Sequence, residues 1–521
     1  VQSAEPWWHG AVGYEVYIRS FADSNGDGIG DLPGVITKLD YLKWLGVDIV
    51  WLTPFYPSPG HDHGYDVSDY CGVASRHGTI GDFDALVSEI HGRGMRVMVD
   101  VVPNHTSIEH PWFSSARSDP SGPERQRYIW ADPAPDGGPP NNWLSHFGGP
   151  AWTLDEASGQ YWCHLFLSEQ PDLNWRNPAV RDDFDAILQW WMDRGVDGFR
   201  VDVAHALIKD AELRDNPQTA PLHDSMHPFE AFAAFDHRHD LDQPSNIEIF
   251  ERWRQVCGPQ QVMLLGEVNA PWPGGMARYV APGALDQAFF LRPAMMGWDP
   301  GLLLQMLRSM HDAAPEGVSW VISNHDRPRP VTRFGGGEAG LQRSLAVTTL
   351  FMALGGTPFL YQGEELGLPD GVLRGDHYDP VAIRDGCRTP MPWDAGPYNG
   401  FSAGTPWIDS ETRPQKQTVA SQRDEPSAPL HRYRSLLGLR RSHPDMWQAP
   451  LQWLDSADPL VCALRRGSIT VVANLSPEPT SFGLDSSGWQ IVYSSQEVGS
   501  VSNSSDIVLI PAETTLVLKT S

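Results

Sequence analysis

The chain has 521 residues, too many for one hydrophobic core, so two or three domains are expected. Basic residues number 38 against 65 acidic ones, a formal charge of −27 that excludes a polyphosphate partner such as DNA or RNA. No run of about 18 apolar residues is present to span a membrane, and Val1–Gly10 carries no basic-then-apolar leader, so a cytoplasmic monomer or homodimer is expected. Five scattered cysteines (Cys71, Cys163, Cys257, Cys387, Cys462) form no CxxC pair and suggest neither a zinc site nor a disulfide framework. The 21 tryptophans beside many carboxylates fit a sugar-handling surface, because pyranose C–H faces pack on aromatic rings.

In chain order, Tyr14–Phe21 reads as a strand, followed by helical spacing at Val35, Leu39 and Leu42 and a second strand at Ile49–Pro54. Phe83, Leu86, Val87 and Ile90 mark the next helix, ahead of the apolar strand Arg96–Val102. Val180, Phe184, Ile187, Leu188 and Trp191 mark another helix before Gly198–Ala204. Val262–Val268, Gln287–Phe290, Trp320–Ser323 and Thr357–Gln362 complete eight strands. Apolar strands separated by helices mean a parallel sheet buried on both faces, and eight units are the count of a closed TIM (β/α)₈ barrel in the α/β class. No GxGxxG or Walker loop follows any strand, which disfavours a doubly wound dinucleotide fold.

Residues 106–175 are rich in Pro, Gly, Trp and Asn and too long for a barrel loop, so they are expected to form an inserted domain after the third strand. The barrel would then comprise 1–105 and 176–445, with a second long insertion at 367–428. After a helix around Leu430–Arg441, short alternating strands such as Ser468–Asn474 and Ile507–Ile510 predict a C-terminal β-sandwich over 446–521.

Chemistry in a barrel sits at the C-terminal strand ends. The third strand ends in Asp100-Val-Val-Pro-Asn-His105, the fourth in Gly198-Phe-Arg-Val-Asp202, the fifth in Gly266-Glu267-Val268 and the seventh in Ser323-Asn-His-Asp326. Three carboxylates, two histidines and an arginine converging on one rim are hard to explain as isolated salt bridges. These four stretches, in this order, resemble the signatures of the α-amylase family of glycoside hydrolases. Gln170-Pro-Asp-Leu-Asn174 and Arg388-Thr-Pro-Met-Pro-Trp393 resemble its α-glucosidase and oligo-1,6-glucosidase branch.

The resemblance implies a small α-glucoside substrate and a retaining reaction. Asp202 would be the nucleophile and Glu267 the general acid/base, with the two carboxyls about 5–5.5 Å apart. Asp326 would hold sugar hydroxyls, Arg200 would keep Asp202 ionised, and His105 and His325 would donate to the same glucose. Tyr65 would stack under that ring, and an Asp66–Arg388 clamp would close the pocket around the terminal sugar. Phe147 and Phe166 are candidate walls. Val203 follows the nucleophile; in the resembling branch Val there accompanies α-1,6 preference, and Thr or Ala α-1,4. Ala204-His205 departs from the usual oligo-1,6-glucosidase sequence, so the linkage stays open.

The same intermediate would serve a glucosyl or glucan transferase, including trehalose- or sucrose-directed members. Non-catalytic transporter-associated homologues lack the carboxylates that this chain keeps.

One motif lies apart. Asp23, Asn25, Asp27, Ile29 and Asp31 place oxygen donors at positions 1, 3, 5, 7 and 9 of an EF-hand-like loop, with Gly28 at position 6 and no Glu at position 12. Such a loop suits a structural Ca²⁺, and the resemblance allows Mg²⁺ as well.

Overall fold

The computed structural model describes residues 5–520 apart from 224, 259–260, 270–272, 377, 381–382, 485–487 and 498–505. Eight parallel strands form the central sheet: β1 (Gly13–Val16), β2 (Ile49–Leu52), β3 (Arg96–Val101), β7 (Gly198–Val201), β8 (Met263–Glu267), β9 (Gln287–Phe290), β10 (Val318–Trp320) and β11 (Phe359–Tyr361). Their order, β10-β9-β8-β7-β3-β2-β1-β11, is that of a nearly closed barrel. Side chains span the seam between β10 and β11. Ser319 Oγ donates to Thr357 O at 2.6 Å, and Thr357 N donates to Gln287 Oε1 at 3.0 Å. A Cβ on Gly356, which sits at φ +62°, would lie 1.8 Å from Val318 O, so only glycine allows this approach.

Alternation along the strands sorts the residues into two layers. Ile49, Trp51, Met98, Met263, Leu265, Phe289 and Phe359 form a cluster of their own, which the pleat assigns to the barrel interior. Val50, Leu52, Val97 and Val99 have the opposite parity and join the large core packed with the helices. Glu15, Asp100, Arg200 and Glu267 share the parity of the interior set, one layer nearer the C-terminal ends. Asp100 is registered with Arg200 on the neighbouring strand. The fully buried faces explain why these strands read as continuous apolar runs.

The first strand is shorter than its sequence implied. It stops at Val16 and turns into a 3₁₀ helix at Ile18–Ser20. Tyr17 N donates to Gln362 Oε1 at 2.8 Å and Ile18 N to Thr53 Oγ1 at 3.3 Å. Side chains thus satisfy the amides that a longer ladder would have paired.

After β3 the chain leaves the barrel and forms a three-stranded antiparallel sheet of β4 (Trp130–Ala131), β5 (Trp152–Asp155) and β6 (Gln160–Cys163). It returns through the helix Pro178–Met192, capped by the Asn177 side chain. At the C-terminus, β12 (Leu451–Leu454), β13 (Val461–Arg466), β14 (Ile469–Asn474), β16 (Trp489–Ser494) and β18 (Thr514–Thr520) make one antiparallel sheet. The pair β15 (Thr480–Gly483) and β17 (Ile507–Ile510) packs Phe482, Val508 and Ile510 against Val461, Val472, Leu516 and Leu518 of that sheet. Two antiparallel layers over one apolar core are a β-sandwich. Among the described residues, no helix is long and apolar enough to cross a membrane.

Candidate active site

Arg200 is the hub of the barrel mouth. Its Nη1 donates to Asp100 and to Asp202, each at 2.6 Å, and its Nη2 donates to Glu267 Oε2 at 2.6 Å. Register explains the meeting: Arg200 stands beside Asp100 on one neighbouring strand and Leu265 on the other, two residues short of Glu267. Arg200 is 1% exposed. A buried cation among three carboxylates fixes their positions, since any one of them left unpaired would be costly.

Asp202 is buried, and burial pushes its pKa well above the ordinary carboxylate value. The charges of Glu267, Asp100 and Asp326 act in the same direction, against Arg200. Arg200 favours the ionised form of Asp202, as its place two residues earlier implied, but it does not outweigh burial. Val203, next in the chain, has φ +42°, an uncommon conformation for a β-branched residue. In that geometry its N–H lies 3.2 Å from Glu267 Oε2. Strain of this kind persists where surrounding contacts over-determine it, often at functional sites.

Asp326 lies opposite. Burial would raise its pKa, but His325, Arg384, Arg388 and Arg200 outweigh that and hold it well below the usual carboxylate range. His325 is sandwiched between Tyr17 and Tyr65, with interplanar angles of 13° and 9°, and shares a 2.5 Å hydrogen bond with Glu15 through Nδ1. Its Nε2 lies 3.4 Å from Asp326 Oδ2. His105 contacts Tyr65 O at 3.1 Å and the Gln170 amide at 3.0 Å through Nε2. Burial lowers its pKa, which favours the neutral ring.

A cavity of about 300 Å³, at the small end for ligand pockets, opens on this site, while Arg200, His325 and Arg388 are not part of its lining. Tyr65, His105, Phe147, Phe166, Asp202, Glu267 and Asp326 all face it. Phe147 and Phe166 meet edge-on at 5.7 Å and form part of its wall.

The expected Asp66–Arg388 clamp is not formed. Asp66 is completely buried and turned into its own loop, where it accepts from Ser58 Oγ and from the amides of Gly60, His61 and Asp62. Arg388 is also fully buried. It donates through Nε to His325 O and through Nη2 to Asp326 Oδ1, both at 2.7 Å, and holds the site from behind. The pair that does form in the cavity lining is Asp62 with Arg384, at 2.8 Å. Arg384 also binds Asp379 at 2.6 Å and reaches Asp326 at 3.3 Å. Each expected residue was the wrong member of a near pair: Asp62 and Asp66 flank Gly64-Tyr65, and Arg384 and Arg388 are four apart. The fourfold use of Asp66 by its own turn decides between them.

Sequence reasoning also passed over His146, His205, Phe229, Phe232, Asn269, Met295 and Arg327, which complete the lining. Phe229, Phe232 and Met295 sit on the short helices Pro228–Ala233 and Arg292–Met295, His146 lies in a loop, and His205, Asn269 and Arg327 follow the strand-end carboxylates within three residues, a proximity that could have marked them.

The Asp23–Asp31 loop lies behind the chemistry. Asp23, Asn25 and Asp27 each accept from the amide two residues on, at 2.8–3.0 Å. Asp31 caps the helix Leu32–Leu45 through Gly34 N at 2.6 Å and also binds Ser24. The donors are all oxygens, the chemistry a hard cation prefers. Asp31 is largely committed to its cap, and among the described residues no group of three or more His, Cys, Asp or Glu side chains converges as a ligand set.

A (β/α)₈ barrel whose strand ends gather carboxylates around one arginine has the build of a glycoside hydrolase. The chain belongs to the α-amylase family: the family's catalytic-domain pattern (alpha amylase, catalytic domain) matches residues 15–449. A probable α-glucosidase of Rhizobium meliloti is 41% identical over 480 residues, covering 88% of this chain and 87% of the relative. An oligo-1,6-glucosidase of Parageobacillus thermoglucosidasius is 36% identical over 541 residues, 94% of each. Among solved structures, an α-glucosyl transfer enzyme, XgtA, superposes with a TM-score of 0.93 at 37% identity, covering 99% of this chain and 100% of the other.

Proposed function

We propose that this chain is a retaining, exo-acting α-glucosidase that removes one glucose from the non-reducing end of small oligosaccharides. The observation that carries the reading is the Arg200 hub, which sets Asp202 and Glu267 side by side on one guanidinium with Asp326 facing the same cavity. Asp202 attacks the anomeric carbon as the glycosidic C–O bond breaks, and Glu267 gives its proton to the departing oxygen. Glu267 then takes a proton from water, whose oxygen displaces Asp202 from C1, so two inversions return the α configuration. Asp326, whose ionised form is favoured by His325 and the surrounding arginines, accepts from the sugar's hydroxyls. Tyr65, locked by stacking on His325, underlies the ring. Asp62 and Arg384 close the far end, which limits the cavity to one terminal unit.

A transferase reading has its own support: the cavity that holds Glu267 is lined also by Phe229, Phe232 and Met295, apolar surface that could seat an acceptor against competing water. The Asp23, Asn25 and Asp27 side chains with the Ile29 carbonyl would hold a Ca²⁺ or Mg²⁺ that stabilises the loop, away from the chemistry.

Proton NMR during turnover of equimolar maltose and isomaltose, with Asp202→Asn as control, tests the proposal. Early α-glucose that is lost in the variant supports it. Early β-glucose would sink the retaining mechanism, and new glycosidic signals without net glucose would make the chain a transferase.

A further inference from the structure

Arg327 is the cation in the cavity wall whose donors are not engaged. It follows Asp326 directly and lines the cavity, yet among the described residues none of its N–H groups makes a hydrogen bond or an ion pair. Its guanidinium carbon lies 4.9 Å from the centre of the Phe229 ring, on the short helix Pro228–Ala233. The stack joins the loop after β7 to the loop after β10 across the mouth. By contrast, Arg200, Arg384 and Arg388 are each bound to carboxylates at 2.6–2.8 Å. A half-buried guanidinium on a cavity wall, with donors that no protein group occupies, can turn them to a ligand in that cavity.

Its neighbours say which part of the ligand that is. Glu267, which serves the leaving oxygen, is surrounded by Val203, His205 and Asn269. Val203 N lies 3.2 Å from its carboxylate, and His205 Nδ1 lies 3.4 Å from both Glu267 O and Asn269 N. Arg327 follows Asp326 in the chain and lines the same cavity as Glu267, His205 and Asn269. An anionic leaving group would face those two carboxylates as well, so the matching chemistry is neutral and rich in hydroxyls.

We propose that Arg327, laid on Phe229, is the specificity-determining donor for the group bonded to glucose, and that it selects hydroxylated aglycones, sugars or polyols, over those without hydroxyls. This rests on the glucosidase reading above. The guanidinium donates to hydroxyl oxygens of the leaving sugar, and in transfer to those of the acceptor.

The test compares wild type, Arg327→Ala and Arg327→Lys on maltose, isomaltose and 4-nitrophenyl α-glucopyranoside, whose aglycone has no hydroxyl. In Arg327→Ala, kcat/KM for the disaccharides should fall about tenfold further than for the aryl glucoside, the worth of one charged hydrogen bond. Arg327→Lys should recover part of the difference. An equal loss on all three substrates, or no loss on any, would overturn the proposal. Phe229→Leu, which removes the platform but keeps the guanidinium, should show the same selectivity in smaller measure and serves if Arg327→Ala does not fold. A wild-type chain that cleaves none of the three would instead overturn the glucosidase reading, and this inference with it.

Discussion

Arg384 and Asp62, 322 positions apart in sequence, meet at 2.8 Å in the wall of the cavity. Both are almost fully buried, so each depends on the other for charge compensation. Arg384 is further tied to Asp379 and Asp326, which links this wall to the catalytic rim.

Breaking that pair should separate binding from folding. Asp62→Ala leaves a buried guanidinium short of a partner, a loss of about 3–5 kcal/mol by analogy with other buried pairs. Part should appear as a lower Tm and part as a KM for maltose or isomaltose raised at least about tenfold. Asp66→Ala, which removes four turn hydrogen bonds outside the cavity, should lower Tm while leaving the KM of the folded enzyme near wild type. Initial rates and thermal melts of the two variants decide between the clamps.

The two carboxylates on Arg200 should fail differently. Asp202→Asn should abolish turnover of every α-glucoside, because no covalent intermediate forms. Glu267→Gln should lower kcat on disaccharides by about 10²–10⁴, the usual worth of a general acid. With 4-nitrophenyl α-glucoside, whose leaving group needs no proton, it should still release a first equivalent of nitrophenol. Stopped-flow absorbance reads that burst, and its absence would remove Glu267 from the acid role.

A buried acid outside the cavity should make stability depend on pH. Glu364 accepts from Ser323 and Thr348, and its pKa is pushed up from 4.5 to about 7, chiefly by burial, with Glu365 adding to it. The folded state therefore holds this proton more tightly than the unfolded chain. The associated stability is fully present below about pH 4.5 and is lost as pH rises through 7. A shift of this size is worth about 3 kcal/mol. Glu364→Gln, a neutral isostere, should flatten the Tm–pH curve between those values and melt higher than wild type at pH 8. Parallel curves for the two proteins would refute the assignment.

Divalent metal should act on stability alone. Ca²⁺ at about a hundred times its Kd would add about 2.7 kcal/mol to folding. Melting in EDTA should therefore be several degrees lower than in millimolar Ca²⁺, and Asp27→Ala should erase the difference without changing kcat/KM. A wild-type Tm indifferent to EDTA and Ca²⁺ alike would show that the loop is held by its own turns.

What the amino-acid sequence determined was whatever a short stretch of chain can carry. Strand parity alone puts Arg200 and Asp202 on one side of the pleat, and apolar runs spaced by helices mean a parallel sheet, whose eight units are the count of a closed barrel. The ends of such strands must converge, so the carboxylates at those ends were legible with no coordinates. Tertiary structure alone decided which polar groups pair across loops. Asp62 and Asp66 have the same chemistry four residues apart, as do Arg384 and Arg388. Asp66 is taken up by its own turn, and which arginine then meets the remaining Asp62 depends on how the loops after β2 and β11 pack together. Arg327 and Phe229 meet for the same reason: loops obey no periodicity, so their side-chain directions are set by the neighbours they find in space.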